Sequence, residues 1–358
     1  MTSQPAHLDD HLTTLAARFV WNADHGFQGD SPLYDTLARG AANDAEVLSL
    51  AEAIPRNQPP ALVLFGVAHF LLLGGVRHPV EDYFPSRGGT RSADDAYPAF
   101  RAFCLEYADQ MRPLLATRKT QTNEVGRCAI LLPAFGIISR RVSGAPLNLI
   151  EVGASSGLNL VWDRYRYDYG RAGRGGLAES EVAIACDARG SGRPPIPTSL
   201  PPTASRIGID LEPADVRDAD QMRWQRALIW PDQIERAALF ERAVEVARRE
   251  PPALVRGDAL TELPKLIRKI PAEGPTVVTH SFTLYQFAPE ARQAFDEVLA
   301  ASSAGRVLFR VSIEWYSGDE FPALRLITYQ NGGRVEEHLA NCHQHGQWIE
   351  WLLAENDS

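Results

Sequence analysis

Acidic side chains follow three short apolar segments of the chain, at the points where strands are expected to end. Glu151, Asp210 and Asp258 each stand at the end of such a segment. Open α/β sheets bind ligands at the carboxyl ends of their strands, so these three carboxylates are expected in one crevice. Carboxylates accept hydrogen bonds from hydroxyl and amino groups. The sequence therefore predicts a site for a polar small molecule at this edge.

The first of these acids precedes a turn made of small residues, 153–157, with the sequence Gly-Ala-Ser-Ser-Gly. Small residues let a ligand approach the backbone closely, but the spacing differs from the dinucleotide motif G-x-G-x-x-G. Glu151 would repel a pyrophosphate and would suit an ammonium group. The same turn also fits the nucleophile-elbow pattern G-x-S-x-G, with Ser155 as nucleophile and Asp258 and His280 following in the required order. A hydrolase is therefore an alternative interpretation.

The second and third acids each have a second interpretation. Asp210 can accept hydrogen bonds from both hydroxyls of a ribose, and Asp258 can accept one from an adenine amino group while Ala259 offers its backbone N–H. Each of these acids also precedes a predicted helix and can serve as its N-cap. Three acidic strand ends in succession favour the ligand interpretation.

A fourth polar segment follows the next predicted strand. His280 is a candidate general base, because histidine titrates near neutral pH, and backbone hydrogen bonding is its alternative role. Ser281 and Tyr285 are candidates for substrate binding and positioning. Asn123 and Glu124 open a predicted helix and can either reach a cleft or cap that helix.

Two regions of different periodicity must position these residues. Residues 1–141 have helical patterns, whereas from 142 onward short apolar segments alternate with helical ones, which predicts a parallel sheet covered on both faces. Asn331-Gly332 between two apolar runs predicts a C-terminal antiparallel hairpin. The strands are expected at 147–152, 182–186, 206–210, 253–256, 276–279, 306–313, 324–330 and 334–339. The helices are expected at 8–20, 33–39, 45–53, 61–76, 97–115, 123–138, from 158, 215–227, 233–249, 260–269 and 289–301.

Composition and charge narrow the class of protein. The net charge of −9 over 358 residues disfavours a nucleic-acid partner. The apolar segment 61–76 is shorter than the ~20 residues that span a bilayer, so we expect a buried helix, with His69 in the core, and no membrane partner. The four cysteines are widely spaced, which fits a reducing compartment and, with no secretory signal at the N-terminus, predicts a cytoplasmic protein. Neither a metal site nor an oligomeric state is predicted.

These residues resemble the class I S-adenosylmethionine-dependent methyltransferases, in the segment 151–157, Asp210, the Gly-Asp-Ala at 257–259 and the strand end at His280. The resemblance covers about residues 145–340. In that superfamily the first loop holds the methionine part of the cofactor, the second acid its ribose, and the third acid its adenine. The resemblance thus implies S-adenosylmethionine as cofactor, bound by Glu151, Gly153, Ala154, Ser155, Gly157, Asp210, Asp258 and Ala259.

The whole chain also resembles a bacterial family catalogued only as a domain of unknown function, number 2332, in stretches such as 121–127, 151–158, 162–165 and 256–259. The methyltransferase resemblance implies a Rossmann-like, mostly parallel sheet over 142–358, with the helical domain at residues 1–141 as a lid. We expect a methyltransferase acting on a small molecule, with His280 and Tyr285 as catalytic residues and Asn123, Glu124 and Ser281 binding substrate. The alternatives are an enzyme that uses the cofactor for other chemistry, the Ser155 hydrolase, and a non-catalytic adenosyl-ligand-binding protein.

Overall fold

The structure of this protein, a computed structural model, describes residues 10–353. The chain divides into two compact units. One comprises residues 10–122 together with Ala219–Ala238, and the other comprises Asn123–Asp218 and residues 239–353. The division after residue 141 and the lid role stay predictions.

The first unit is built from helices, which match most of those expected from the sequence. Ser31 is the N-cap of one of them, because its hydroxyl accepts a hydrogen bond from the backbone N–H of Tyr34. The single helix expected over 97–115 is instead two helices that meet at Tyr107, where the backbone leaves helical geometry (φ −102°, ψ 15°). The helices are α1 (Asp10–Asn22), α2 (Pro32–Ala41), α3 (Ala45–Ala51), α4 (Pro60–Leu73), α5 (Ala96–Glu106), α6 (Ala108–Thr117) and α8 (Ala219–Ala227).

The most apolar helix of this unit, α4, is a core helix, as its length predicted. Its histidine, His69, is fully buried and satisfied by donating from Nδ1 to the carbonyl of Ala227 and accepting at Nε2 from Ser86. Burial lowers the pKa of His69 to about 3, so the ring is neutral. Within residues 10–353, no helix combines the length and apolar character that crossing a membrane requires.

The second unit contains two sheets. The strands are β1 (Leu147–Val152), β2 (Arg166–Asp168), β3 (Arg174–Gly176), β4 (Ala183–Ala185), β5 (Asp187–Arg189), β6 (Thr203–Asp210), β7 (Ala253–Arg256), β8 (Thr276–Ser281), β9 (Val307–Glu314), β10 (Ala323–Gln330), β11 (Gly333–Cys342) and β12 (Trp348–Trp351). The larger sheet has nine strands in the order β5-β12-β11-β10-β9-β8-β1-β6-β7, and the smaller has three in the order β3-β2-β4. The α/β class and the mostly parallel central sheet are thus confirmed.

The strands β7, β6, β1, β8 and β9 run parallel, and β1 is the middle one of these five. Ile150 and Val152 of β1 pack in an apolar core with Leu263 and Phe295 of two helices. Because strand side chains alternate, Glu151 points to the opposite face of the sheet. The remaining helices are α7 (Cys128–Arg141), α9 (Ile234–Arg249), α10 (Ala259–Lys269) and α11 (Pro289–Ser302).

The predicted C-terminal hairpin is confirmed. Asn331 and Gly332 join β10 to β11, and both have positive φ, 48° and 81°. Two-residue turns of this kind match the twist of the paired strands, which is why Asn-Gly is a strong hairpin signal.

The segment after β1 differs from the expected helix. Leu158–Arg164 is a 3-10 helix with non-helical geometry at Val161. The hydroxyl of Tyr165 donates to the carbonyl of Leu158, and that of Tyr167 donates to the carbonyl of Trp162. Tyrosine hydroxyls thus bond two carbonyls of a segment that does not continue as an α-helix.

Candidate functional site

The turn at 153–157 follows β1 and is tied to the end of the neighbouring strand β6. The backbone N–H groups of Gly153 and Ala154 both donate to the carbonyl of Ile209, at 2.8 and 3.2 Å, and that of Ser155 donates to the Asp210 carboxylate at 2.8 Å. Gly153, Ser155 and the final glycine of the turn have positive φ, between 55° and 75°. Such a conformation at a non-glycine residue costs about 1–3 kcal/mol and is concentrated at functional sites.

The absence of a side chain at Gly153 gives room to Thr283, which follows β8. A Cβ atom at this position would lie 2.4 Å from Oγ1 of Thr283. That hydroxyl donates to the carbonyl of Val152 or Ser281, each 3.3 Å away. Thr283 thus contacts the end of β1 from the end of β8. From β1 the chain continues to β6 and β7 on one side and then to β8 and β9 on the other, and open α/β sheets bind ligands at such a switch point.

Replacing Gly153 by alanine is expected to destabilise the protein by about 1–2 kcal/mol more than Gly305→Ala does. Gly305 has nearly the same φ (71° against 74°) but open space around it, so the two variants share the backbone strain and differ in the clash with Thr283. Urea unfolding of both variants measures the difference. Equal losses would show that Thr283 relaxes away without cost.

Glu151, in β1 just before the turn, has a buried carboxyl group with one oxygen unpartnered in the described part of the chain. It is 3% exposed; Oε1 accepts a hydrogen bond from Nδ2 of Asn159 at 3.2 Å, and the buried Oε2 has no partner among the described residues. Burial raises the pKa of Glu151 to about 8, and the charge of Asp210 adds to this, whereas Asn159 and Arg127 oppose it. A buried carboxyl group with an unsatisfied oxygen is a strong attractor for a cation or a hydrogen-bond donor.

Asp210 and Asp258 stand at the next two strand ends, as expected. The oxygens of Asp210 accept from the backbone N–H groups of Ser155 and Glu212, at 2.8 and 2.9 Å. Asp258 is exposed and accepts from the backbone N–H of Thr261, so it is the N-cap of α10, which was its alternative interpretation. Its contact with adenine, like that of the buried Ala259, stays a prediction.

Asn123 supports the same turn from a segment far away in the sequence. Its side-chain oxygen accepts from the hydroxyl of Ser156 at 3.0 Å and from the backbone N–H of Leu158 at 2.8 Å. Glu124 is buried and lies 3.1 Å from Nδ1 of His345. Asn123 thus belongs to the site, because its side chain holds the turn at 153–157 in place.

His280 lies inside the sheet, 1% exposed, with both ring nitrogens engaged. Nε2 accepts from Nε of Arg310 at 2.9 Å, and since arginine can only donate, the ring proton is on Nδ1, which donates to Oε1 of Glu314 at 2.8 Å. Burial and the charge of Arg310 lower the pKa of His280, while Glu314 opposes them. In this arrangement neither nitrogen is open to a substrate, and the role of His280 as a base stays a prediction.

Ser281 and Tyr285 follow on the same segment. Arg127 donates from Nη1 to the hydroxyl of Ser281 at 3.2 Å, and its guanidinium lies 4.3 Å from the ring centre of Phe282. Tyr285 is 57% exposed. Burial of part of the side chain and the charge of Glu314 raise the pKa of Tyr285, whereas Arg127 lowers it. The charges of Glu314 and Arg127 therefore both act on the Tyr285 phenol.

Asn159 and Glu314 belong to this site although the sequence analysis does not name them. The predicted strand 306–313 ends one residue too early, and the rule that picks out the other acids would find Glu314 at the true end of β9. Asn159 has no sequence signal, because it lies against Glu151 on a 3-10 helix where the pattern predicts an α-helix. Within the described part of the chain, no group of three His, Cys, Asp or Glu side chains could hold a metal ion.

Comparison with known proteins gives a family but no activity. No curated protein matches the chain. Residues 16–351 match a family described as "Uncharacterized protein conserved in bacteria (DUF2332)", which confirms the near-full-length resemblance. With nearly its whole length covered by that match, the chain belongs to the DUF2332 family.

Proposed function

We propose that this protein is an S-adenosylmethionine-dependent methyltransferase acting on a small molecule. The observation that carries the proposal is the buried, unpartnered Oε2 of Glu151 at the end of β1, directly before a glycine-containing turn. The strand order β7-β6-β1-β8-β9 supports it, because the switch point of such a sheet lies between β1 and β8. The finer assignment of the sheet as a Rossmann-like methyltransferase sheet belongs to the same proposal.

Glu151 fits the amino group of an amino-acid moiety. A bound ammonium group would give Oε2 the donor it lacks, directly or through one water, and would favour the ionised carboxylate. Asn159 holds the other oxygen, so the carboxyl group is already oriented. Fixed polar groups bind with little reorganisation, which is what a cofactor site requires.

Asp210 fits a ribose. Its carboxylate accepts hydrogen bonds from the backbone N–H groups of Ser155 and Glu212, which orient it at the end of β6. A carboxylate accepts hydrogen bonds from hydroxyl groups, so we assign Asp210 to the hydroxyls of a ribose. The backbone N–H of Gly257 donates to the carbonyl of Asp210 at 2.9 Å, which ties the next strand end to this residue.

S-adenosylmethionine, when bound, supplies an electrophilic methyl group on a sulfonium, and the pair of electrons of the broken bond stays on sulfur. The residues of this chain contribute binding and orientation. Asn123 holds the turn at the end of β1, and Thr283 contacts the end of β1 from the segment after β8. Glu151 and Asp210 would bind the amino group and the ribose of the ligand. Positioning of this kind supplies much of the acceleration of a displacement reaction.

The hydrolase alternative is less favoured by the same geometry. A Ser155 nucleophile needs a histidine base, and the ring nitrogens of His280 are bonded to Arg310 and Glu314 instead. Asp258, the third member of that arrangement, caps α10. The positive φ of Ser155 is shared with nucleophile elbows, but here its backbone N–H is bonded to Asp210.

Calorimetric titration with S-adenosylmethionine and S-adenosylhomocysteine tests the proposal. We expect micromolar binding that Asp210→Ala weakens at least about tenfold, equivalent to ~1.4 kcal/mol, because the hydroxyl contacts are lost. Asp187→Asn, which removes an exposed carboxylate in β5, is the matched control and should bind like the wild type. A wild-type protein that binds neither compound would contradict the proposal.

Product analysis separates the alternatives that share the cofactor. S-adenosylhomocysteine formed with a panel of small acceptors identifies methyl transfer, whereas methylthioadenosine identifies another displacement on the cofactor. Tight binding with no turnover across the panel identifies a non-catalytic ligand-binding protein.

A further inference from the structure

We propose that Glu314 forms a second subsite, which binds a positively charged amino group of the small-molecule acceptor. Glu314 ends β9, two strands from β1 at the same carboxyl edge of the sheet. That this amine is the methyl acceptor rests on the proposed function. The amine subsite itself rests on the residues around Glu314.

Glu314 is a carboxylate that the protein holds firmly by one oxygen only. Oε1 accepts from Nδ1 of His280 at 2.8 Å and from the backbone N–H groups of Thr283 and Leu284, both at 2.9 Å. Oε2 is buried and has no partner among the described residues, and the residue is 4% exposed. Three donors on one oxygen orient the carboxylate and leave the second oxygen for a ligand.

The side chain is an anion in this setting. Burial raises the pKa of Glu314, but the hydrogen bond and the electrostatic attraction of His280, together with the backbone N–H groups of Leu284 and Thr283, outweigh burial and keep that pKa below its ordinary value. Burial and the charge of Arg310 lower the pKa of His280, and its Nδ1 donates to Oε1 of Glu314. A cation is therefore the group that best satisfies Oε2.

The subsite is continuous with the turn after β1. Thr283 bonds Glu314 through its backbone N–H, and its side chain lies over Gly153 and within 3.3 Å of the carbonyl of Val152. One residue thus joins the two places where a buried carboxyl oxygen lacks a partner, Glu151 and Glu314. A ligand at each place would bring two molecules to adjoining parts of one edge, as group transfer requires.

One aromatic side chain near Glu314 favours the same ligand class. Tyr285 is 57% exposed. Burial and the negative charge of Glu314 raise the pKa of Tyr285, which places the phenol within the field of that carboxylate. Aromatic faces attract cations, so an amine that reaches Oε2 gains from the Tyr285 ring as well.

The test compares an amine with its neutral isostere. Benzylammonium and benzyl alcohol are titrated into the full-length protein by ligand-observed NMR, with and without S-adenosylhomocysteine. We expect the wild type to bind benzylammonium at least about tenfold more tightly than benzyl alcohol, and Glu314→Gln to abolish that preference while binding S-adenosylhomocysteine as before. Glu320→Gln, an exposed carboxylate in the loop after β9, is the matched control and keeps the preference.

The outcomes separate this inference from the proposed function. Equal binding of both probes, no binding of benzylammonium, or an unchanged preference in Glu314→Gln would overturn the amine subsite even if S-adenosylhomocysteine binds. A Glu314-dependent preference for benzylammonium in a protein that does not bind S-adenosylhomocysteine would support the amine subsite and contradict the methyltransferase proposal. Circular dichroism and unfolding of Glu314→Gln verify that the variant is folded, and Glu314→Asp, which keeps the charge on a shorter side chain, retains part of the preference.

Discussion

Replacing Glu151 by glutamine is expected to make the ligand-free protein more stable at pH 8 by about 3–4 kcal/mol, and to change its stability little near pH 4.5. The side chain is buried and its pKa is raised to about 8, against a reference value of 4.5. Glutamine has nearly the same shape and never ionises, so the variant removes the cost of a buried negative charge.

The sign follows from proton binding in the two states. Between pH 4.5 and 8 the folded protein keeps the Glu151 carboxyl protonated, whereas the unfolded chain has lost that proton. Stability from this group is therefore fully present below pH 4.5 and is lost as the pH rises through 8. Wild-type protein should lose stability over this range, and Glu151→Gln should lose less.

Urea unfolding at pH 5.5 and at pH 8 measures the effect, with Glu320→Gln as a control that follows the wild type at both values. Parallel pH dependence of the wild type and Glu151→Gln would contradict a raised pKa at this site. If Glu151→Gln is more stable than the wild type but binds S-adenosylmethionine more weakly, the Glu151 carboxyl group lowers stability and serves binding, as expected at functional sites.

The strands of the parallel core could be read from the sequence because they are short, apolar and bounded by turn residues. The predicted limits of β1 and β7 match the observed ones, and the predicted carboxyl ends of β6 and β8 lie within two residues of those observed. The end of a strand is where the chemistry lies, so an error of one residue at β9 was enough to hide Glu314.

Other parts of the fold depend on contacts that a linear pattern does not contain. β5 has three residues, Asp187–Arg189, and is a strand because it pairs with β12 at the far edge of the large sheet. The helix expected after the first turn fails for a similar reason, since Tyr165 and Tyr167 bond its carbonyls from positions further along the chain. Long-range pairing overrides local propensity in both cases.

The candidate site shows the same limit. Residue type and position at a strand end identified Glu151 and Asp210, whereas nothing in the sequence indicated that His280 would be bonded on both sides. Arg310 lies in the middle of β9, where an apolar residue is the usual choice. Its pairing with His280 is a tertiary contact between neighbouring strands, which the parallel register Val278–Arg310 and His280–Ser312 brings together.

Replacing Arg310 by methionine is expected to destabilise the protein by about 3 kcal/mol at pH 7.5, because it leaves buried polar partners behind. Arg310 is 5% exposed and donates to His280, to Asp296 and to the hydroxyl of Tyr329. Methionine fills similar space but donates no hydrogen bond. The loss stands near the low end for a buried ion pair, since the Asp296 side chain is 42% exposed and water can replace part of its contact.

This loss should shrink as the pH falls from 7.5 to 5.5. In the wild type the pKa of His280 lies below 6.5, its value in the unfolded chain. As the pH falls through 6.5, the unfolded chain therefore binds a proton at His280 while the folded protein does not, and the stability of the folded protein decreases. Without the positive charge of Arg310, the pKa of His280 rises and its ring can take up that proton beside Glu314. The variant should therefore lose less stability on acidification than the wild type does.

Chemical unfolding of the wild type and Arg310→Met at pH 7.5 and 5.5 tests both statements. Arg268→Met, on the exposed side of α10, is the matched control and should change stability by no more than about 0.5 kcal/mol. A constant difference at the two pH values would mean that Arg310 does not set the protonation of His280. The chain of hydrogen bonds from Arg310 through His280 to Glu314 would then be structural only, and Glu314 would owe its orientation to the backbone N–H groups of Thr283 and Leu284.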